Sequence, residues 1–384
     1  MRILLNFVPL KSGGGVQVGL DFLRQVQANG GEHRWDVVAT AGTPVARVPQ
    51  GPHLRVAKLL PNDAVSRAAF ERFGCKELLA ELKPDVIYTQ FGGPWPGAKS
   101  IPNVIGCAYA NLMYPEMKFW DKYPLPQRLL RTVKDGYRKR ALYSADHVVF
   151  ENEDLAHRAV TLLGLDPGRV HVVRPAPSSL VAEDGPGHEE TVAVCRSLPP
   201  GFKVLLISGY QRNKNFEILP KVALCLKQAF RIDDVVFLTT LPSNHPGTRR
   251  YLDAAGRLGV QSMIMNIGSV AQEGCATLYR HVDAVLLPSR LESFSNTIAE
   301  AWAMRRPLLI SDMDWARSIC SDGAIYVRHD DARHVAERIL EVRSSADLRA
   351  AAVTGGAEAL KRYSTPRQRF LQYLDIIRAS AVAG

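Results

Sequence analysis

The chain has 384 residues, which is too many for one ordinary domain, so we expect two domains. Its 46% apolar and 22% charged residues exclude a disordered chain and are sufficient for two hydrophobic cores. The formal net charge of +10 favours anionic partners, which leaves nucleic acid, an acidic membrane and phosphorylated small molecules open.

The first half of the chain alternates strand-like runs with helix-like runs. "RILLNFV" leads through "SGGG" to "VQVGLDFLRQVQANG", whose apolar residues recur at helical spacing. β-Branched runs follow in "RWDVVAT", "PDVIYTQF", "PNVIGCAY" and "ADHVVFEN", with helical segments between most of them. This alternation predicts a parallel sheet that is covered by helices on both faces.

Three consecutive glycines, Gly13 to Gly15, follow the first predicted strand. They allow the backbone to approach a ligand closely, and the next helix would offer free N–H groups to an anion. The dinucleotide fingerprint is excluded because Val18 stands where its third glycine would fall. A plain tight turn is the alternative, but a turn needs only one glycine.

The segment 116–140 is strongly basic, with eight Lys or Arg against three Asp or Glu. Apolar and aromatic residues are interleaved with these charges: Phe119, Trp120, Tyr123, Leu125, Leu129 and Leu130. This composition is typical of a helix in an acidic membrane interface, and also of a solvated helix with a core-facing stripe. RNA binding is a further alternative, but no RNA-binding motif is present.

The alternation restarts after residue 200 and continues through "KVLLISGY", "DVVFLTT", "SMIMNIGSV", "DAVLLPS" and "RPLLISD". The preceding segment, "RPAPSSLVAEDGPGHEETVAV", is rich in Pro, Gly and acids, and we interpret it as the connection between the two domains. We therefore predict an N-terminal acceptor-side domain over 1–178, a linker over 179–200, a nucleotide-binding domain over 201–363 and a C-terminal helix over 364–384.

Ligands bind at the carboxyl ends of the strands in open parallel sheets, which directs attention to the loops there. Gly209 ends a predicted strand, and Arg212 and Lys214 follow just before a helix. Two cations beside a helix N-terminus are typical of a diphosphate site, although two solvated charges are the alternative. Gly268 lies in another such loop, where a flat base or a simple turn would fit.

The stretch "PSRLESFSNTIAEAWA" carries two acids, Glu292 in a loop and Glu300 in the first turn or so of the next helix. Ser295 or Asn296 is the expected N-cap. Thr297-Ile-Ala-Glu300 also spells a capping box, which would explain Glu300 but gives Glu292 no role. Carboxylates are acceptors with two oxygens, so each acid could bind a pair of sugar or ribose hydroxyls.

The segment "GSVAQEGCATLYRHVDAVLLPSRLESFSNTIAEAWAMRRPLLISD" resembles the C-terminal half of the family 4 retaining glycosyltransferases. Glu292 and Glu300 match the family's E-x7-E motif. The resemblance implies an α/β GT-B fold, with two Rossmann-like doubly wound domains facing across a cleft. It also implies a final helix that crosses back to the N-terminal domain, and a nucleotide-sugar donor bound mostly by the second domain.

The resemblance also implies a role for each matching position. Glu292 would contact donor-sugar hydroxyls near the reacting carbon, Glu300 would hold the ribose hydroxyls, and Lys214 would bind the diphosphate. Backbone groups would supply the other contacts: Gly14 and Gly15 to the sugar phosphate, Val270 to the base, and Asn296 and Thr297 to the diphosphate or sugar.

Two positions depart from the family pattern. The family often has an arginine directly after the strand glycine, where this chain has Tyr210, and we expect Arg212 to take its place. Many members carry a first-domain histidine facing the reacting sugar, but "VIGCAYANLMYPE" contains none. Asn111 is the candidate substrate-binding residue in that stretch, and a structural role is its alternative.

The expected function is retaining transfer of a sugar from a nucleotide-sugar donor to a saccharide or lipid-linked hydroxyl acceptor, as in polysaccharide or O-antigen assembly. Arg212 and Lys214 would stabilise the leaving diphosphate, so no metal and no cofactor are expected beyond the donor substrate. The pair Asp312 and Asp314 is interpreted as a loop rather than as a metal site.

Scattered cysteines without metal or redox spacing favour the cytoplasm, with contact to the inner face of the membrane through 116–140. No nucleic-acid partner is expected, because the positive net charge is the only feature of the sequence that supports one. A GT-B nucleotide-sugar epimerase and a non-catalytic nucleotide-sugar-binding subunit remain the alternative functions.

Overall fold

The two halves of the chain form separate α/β units in the computed structural model, which describes residues 1–11, 13–95, 98, 100–118, 123–185 and 187–383. The first unit comprises Met1–Ala176 together with Ser364–Gly384, and the second comprises Pro177–Tyr363. The last helix of the chain is therefore part of the first unit. None of the described helices has the length and apolar character needed to cross a membrane.

A parallel sheet, seven-stranded within the described residues, forms the centre of the first unit in the order β3-β2-β1-β4-β5-β6-β7. Its strands are β1 (Arg2–Phe7), β2 (Arg34–Thr40), β3 (Leu54–Leu60), β4 (Val86–Gln90), β5 (Asn103–Cys107), β6 (His147–Phe150) and β7 (Val170–Val172). Its helices are α1 (Gly14–Asn29), α2 (Ala64–Ala69), α3 (Cys75–Leu82), α4 (Ala110–Met113), α5 (Leu125–Ser144), α6 (Glu153–Leu163) and α15 (Pro366–Ala383).

The final helix completes the aromatic core of the first unit. Phe370 of α15 packs its ring at 5.3 Å from that of Phe22 on α1. Tyr373 lies one turn further along α15, and its ring is 5.3 Å from that of Tyr88 on β4. Both residues of α15 are buried, so this helix covers one face of the sheet as an integral part of the unit.

The second unit contains a parallel sheet that is six-stranded over the described residues, in the order β10-β9-β8-β11-β12-β13. Its strands are β8 (Phe202–Leu206), β9 (Val235–Thr239), β10 (Ile264–Asn266), β11 (Ala284–Leu287), β12 (Leu308–Ser311) and β13 (Ile325–Val327). Its helices are α7 (Glu189–Arg196), α8 (Leu219–Ala229), α9 (Pro246–Arg257), α10 (Gln272–Arg280), α11 (Asn296–Ala303), α12 (Asp314–Cys320), α13 (Ala332–Ser344) and α14 (Ala346–Leu360).

The predicted doubly wound fold is thereby confirmed for both sheets. In the second unit the chain adds β9 and β10 on one side of β8, and then returns to place β11, β12 and β13 on the other. The strand order thus reverses between β8 and β11, and the loops that follow these two strands become neighbours. Open α/β sheets bind their ligands at such a reversal.

The structure differs from the predicted linker over 179–200, because this segment contains α7 and belongs to the second unit. Thr191 and Cys195, one helical turn apart, are both buried. Helix α7 packs on α10 where Gly274 lacks a side chain, and a Cβ there would lie 2.3 Å from Thr191 Oγ1. Abundant Pro, Gly and acids hid this short buried face in the sequence.

Gly356 permits α14 to pack closely against α11. A Cβ at this position would lie 2.4 Å from Cδ1 of Trp302, whose ring is buried and whose Nε1 donates to the carbonyl oxygen of Gly323 at 2.7 Å. The indole is therefore held in place and cannot easily move away from an added methyl group.

We predict that Gly356→Ala lowers the free energy of unfolding by about 1–3 kcal/mol, because it overpacks this contact. Gly256→Ala in α9 is the matched control, since nothing lies within 4 Å of an added Cβ there. The control should raise the free energy of unfolding by about 0.4–1 kcal/mol through the unfolded state. Urea denaturation measures both, and equal stabilities of the two variants would contradict the close contact.

Candidate functional site

An ion pair between Lys214 and Glu292 joins the loops that follow β8 and β11. Lys214 Nζ lies 2.7 Å from Glu292 Oε1, and the two side chains are only 11% and 9% exposed. Lys214 Nζ also donates to Ser295 Oγ at 3.3 Å, and Asn213 Nδ2 donates to Glu292 Oε1 at 3.3 Å. Because both charges are largely removed from water, loss of either one would leave the other uncompensated.

The backbone around Lys214 is fixed by a short turn and by the neighbouring loop. The 3-10 turn Arg212–Lys214 ends at Asn215, whose φ of 57° is left-handed. Asn215 Nδ2 donates to the carbonyl oxygen of His329 at 2.7 Å, and its Oδ1 accepts from an Arg290 guanidinium nitrogen at 3.0 Å. The backbone N–H of Arg290 donates to the carbonyl oxygen of Asn213 at 2.7 Å, so the two loops hold each other.

The start of α11 lies beside the ion pair. Ser295 is the N-cap, in agreement with one of the two expected positions, and its hydroxyl accepts from Lys214 instead of capping the helix. Thr297 Oγ1 donates to the carbonyl oxygen of Ile207, just after β8, at 3.3 Å. The first turn of α11 carries no acidic residue, so the positive end of the helix dipole adds to the charge of Lys214.

Glu300 is buried within α11, and the capping-box alternative for it is wrong. The helix begins at Asn296, which places Thr297 inside it and Glu300 beyond the first turn. Its Oε2 accepts from the hydroxyl of Tyr279 on α10 at 2.9 Å. Burial, and then the charge of Glu300, raise the pKa of Tyr279 well above its usual value, so this hydroxyl remains protonated and donates.

The structure places the remaining second-unit candidates at the same edge of the sheet. Arg212 is exposed in the turn before Lys214, and Asn296 is half-buried at the start of α11. Val270 is half-buried after β10, two strands away from β8. Gly268 in that loop has a φ of +81°, which glycine adopts readily. Lys214, Glu292, Asn296 and Thr297 are brought together, whereas Val270 lies further along the edge.

The glycine loop of the first unit is shaped by one unusual backbone conformation. Gly13 is the N-cap of α1 with φ 66° and ψ −152°, a combination that only glycine adopts readily. Gly14 and Gly15 then form the first turn, and a Cβ on Gly15 would meet side-chain atoms of Leu10 and Phe91 at 3.5 Å.

Asn111 has a structural partner in the first unit. Its Nδ2 donates to Asp135 Oδ2 on α5 at 2.9 Å. Asp135 Oδ1 also accepts from Arg138 Nη1 at 3.0 Å. This bond between α4 and α5 agrees with the structural alternative stated for Asn111.

Sequence reasoning missed several polar partners of the site. Tyr279, Asn213 and Ser295 orient the two acids and the lysine. Ser295 was expected as an N-cap and Asn213 lies beside Lys214, but the sequence gave no signal for Tyr279. Tyr210, seen in the sequence as a departure, stacks on the ring of His245 at 4.6 Å and donates from its hydroxyl to Glu217 Oε1 at 2.6 Å. Tyr210 therefore makes a stacking contact at the position where the family often has an arginine.

The pair Asp312 and Asp314 does not point to a shared ligand. Asp312 Oδ1 forms an ion pair with Arg317 Nε at 2.5 Å, and Asp314 opens α12. Across the part of the chain that the structure describes, no group of three or more His, Cys, Asp or Glu is placed to hold a metal ion.

Comparison with known proteins identifies relatives for both units. A family model described as Glycosyltransferase Family 4 matches residues 12–176, and one described as Glycosyl transferases group 1 matches residues 201–345. A D-inositol 3-phosphate glycosyltransferase 2 of Catenulispora acidiphila is 27% identical over 186 residues, which is 47% of this chain. A D-inositol 3-phosphate glycosyltransferase of Mycobacterium bovis is 25% identical over 187 residues, or 48% of this chain. The matches span 43% and 37% of these relatives, less than half of their length.

Solved structures resemble the chain over nearly its full length. Sucrose-phosphate synthase of Thermosynechococcus elongatus superimposes with a TM-score of 0.76 at 18% identity, covering 100% of both chains. WaaG, a glycosyltransferase involved in lipopolysaccharide biosynthesis, gives 0.72 at 14% identity, covering 98% of this chain and 99% of WaaG. HepE of Anabaena, in complex with UDP and glucose, gives 0.69 at 16% identity, covering 99% and 100%. With the family models on both units and this shared fold, the chain belongs to the family 4 glycosyltransferases of GT-B fold.

Proposed function

We propose that this chain transfers a sugar from a nucleotide-sugar donor to a hydroxyl acceptor, with the donor bound in the second unit. The observation that carries this proposal is the Lys214–Glu292 ion pair at the point where the strand order reverses. HepE, which shares the fold, holds UDP and glucose in its structure, and this supports a nucleotide-sugar donor here.

The cationic part of the site suits the diphosphate. An ammonium group has three donors, and the bonds to Glu292 and Ser295 account for two of them among the described residues. A third donor would meet a phosphate oxygen, alongside the N–H groups at the start of α11. Arg212 lies in the same turn. These groups would stabilise the negative charge that grows on the leaving oxygen, which is why the proposal includes no metal.

The two acids suit the hydroxyl-bearing ends of the donor. Glu292 is fixed by Lys214 and Asn213, so its carboxylate would accept hydrogen bonds from the donor sugar in a defined orientation. Asn296 and Glu300 are four residues apart and therefore lie on one face of α11. Tyr279 fixes the carboxylate of Glu300, which would accept from the ribose hydroxyls.

The proposed reaction retains the anomeric configuration. Glu292 is paired with a lysine, which weakens it as a nucleophile, so the acceptor would attack from the face that the diphosphate leaves. The proposed acceptor is a saccharide or a lipid-linked saccharide, as in polysaccharide or O-antigen assembly. The involvement of WaaG in lipopolysaccharide biosynthesis supports this class of acceptor.

A ligand screen followed by a turnover assay tests the proposal. Thermal melting with UDP, GDP, ADP and dTDP identifies the base, because a ligand that binds the folded chain raises its melting temperature. The matching nucleotide sugars are then incubated with and without saccharide acceptors. Acceptor-dependent release of the nucleoside diphosphate, with a product of unchanged anomeric configuration, is the expected result. Sugar conversion without acceptor would indicate an epimerase, and binding without conversion would indicate a non-catalytic subunit.

We predict that Lys214→Met lowers kcat by about 10²–10³-fold, the usual loss when one donor to a developing negative charge is removed. Lys221→Met, at an exposed lysine on α8, is the matched control and should leave kcat unchanged. Adding Glu292→Gln to Lys214→Met should cost less than the sum of the single effects, because the two residues form one ion pair. Donor binding and turnover that survive the double substitution would contradict the proposed site.

A second prediction concerns the hydroxyl that holds Glu300. Tyr279→Phe should raise KM for the donor more than it lowers kcat, because it loosens a carboxylate that binds the ribose and not the reacting carbon. Loss of this buried hydrogen bond should also lower the free energy of unfolding by about 1–3 kcal/mol. Tyr363→Phe removes a hydroxyl that donates to the carbonyl oxygen of Ile319 at 3.0 Å, and should reduce stability without changing KM. Equal KM values for the two variants would exclude Glu300 from donor binding.

A further inference from the structure

Helix α5 of the first unit exposes apolar side chains that a soluble helix normally buries. Of this helix, which the structure describes in full, only Ala141 and Leu142 are buried. Five large apolar or aromatic side chains are between 53% and 72% exposed: Leu125, Leu129, Leu130, Val133 and Tyr137. Isolated exposed leucines need no explanation, but five on one helix form a continuous apolar surface.

These side chains form one largely exposed stripe, whose C-terminal end at Tyr137 lies close to Gly93 of the same unit, as does the buried Ala141 one turn further on. Leu125, Leu129, Val133 and Tyr137 are spaced by four residues and therefore lie along one face, with Leu130 beside them. Leu142 and Arg138 are buried or half-buried on roughly the opposite face at helical geometry, where the helix contacts its own unit. The alternative of a core-facing apolar stripe, considered from the sequence, is therefore wrong for Leu125, Leu129 and Leu130.

Positive charge borders the stripe on both sides. Helix α5 carries six Lys or Arg, and Asp135 is its one acid. On the helical wheel, Arg128 and Lys139 lie along one border of the stripe and Lys134 lies along the other. Asp135 is already engaged by Asn111 and Arg138. Partial burial, and then the neighbouring cations Arg131 and Arg138, lower the pKa of Lys134.

A neighbouring segment adds to the apolar surface. Val65 on α2 and Phe73 after it are 80% and 70% exposed. Arg67 and Glu71 of the same segment act electrostatically on Tyr137, which places this segment beside α5. Phe119 and Trp120, which completed the basic segment in the sequence, lie outside the described residues.

We propose that α5 is a membrane-docking helix, which inserts its apolar stripe into the interface of a bilayer that contains anionic lipid. Charge complementarity favours a bilayer with anionic lipid over other partners for this surface. The bordering cations match anionic headgroups, and the stripe between them matches the acyl boundary beneath. A second copy of the chain would bring the same cations against one another, and nucleic acid would use the cations but leave the aliphatic stripe in water.

The test is flotation of the full chain with vesicles of phosphatidylcholine alone and of an equimolar mixture of phosphatidylcholine and phosphatidylglycerol. We expect binding to the mixed vesicles, little binding to phosphatidylcholine, and weaker binding at high salt. Replacing Leu129→Ser together with Val133→Ser should weaken partitioning about tenfold or more, because apolar contact is removed. Replacing Arg128→Glu together with Lys139→Glu should also weaken it about tenfold or more.

Matched controls separate the surface from general effects on the fold. Leu162→Ser with Leu371→Ser removes two exposed leucines of the same unit that lie on α6 and α15, and Lys221→Glu with Arg257→Glu reverses two exposed charges of the second unit. Both controls should float as the wild type does, and thermal melting confirms that every variant is folded. Absence of flotation with either vesicle overturns the proposal. So does binding that is insensitive to the loss of Leu129 and Val133, tighter binding to a single-stranded RNA oligonucleotide, or a dimer in solution that the serine variant dissociates.

Discussion

Parallel strands place all their carboxyl ends at one edge of a sheet, and the candidate site of the second unit depends on this constraint. The order of the strands reverses between β8 and β11, so the two loops that follow them meet with no helix between them. Lys214 and Glu292 come from these two loops, and the start of α11 lies against both. Since each buried charge requires the other, the ion pair also fixes the loops, and the bonds of Asn215 and Arg290 continue this restraint.

The sequence was sufficient for those features that follow from pattern and spacing. Alternating strand and helix runs predicted two parallel sheets, and the E-x7-E spacing predicted the family that the matches to both units confirm. Because the carboxyl ends of adjacent parallel strands meet, reading the loops after each strand led to Lys214 and Glu292. Their roles towards a donor remain predictions, as do those of Gly14, Gly15, Val270 and Asn111.

Features that depend on contacts between residues far apart in the chain could not be predicted from the sequence. The local pattern Thr-Ile-Ala-Glu favours a capping box, but the helix begins two residues earlier than that pattern requires, and the hydroxyl of Tyr279 donates to the carboxylate of Glu300. Tyr279 lies 21 residues away, on a different helix, and no spacing rule connects the two positions. Helix α7 was likewise hidden, because two buried residues in a segment rich in Pro and Gly give too little helical periodicity.

The contribution of α15 to the first unit has a consequence for how the protein is made. The N-terminus of a growing chain leaves the ribosome first. Phe22 and Tyr88 therefore emerge long before Phe370 and Tyr373, which pack against them. During translation the second unit has all of its own strands before these partners arrive. The aromatic face of the earlier unit therefore stays uncovered while the second unit is being made, until the last helix packs against it.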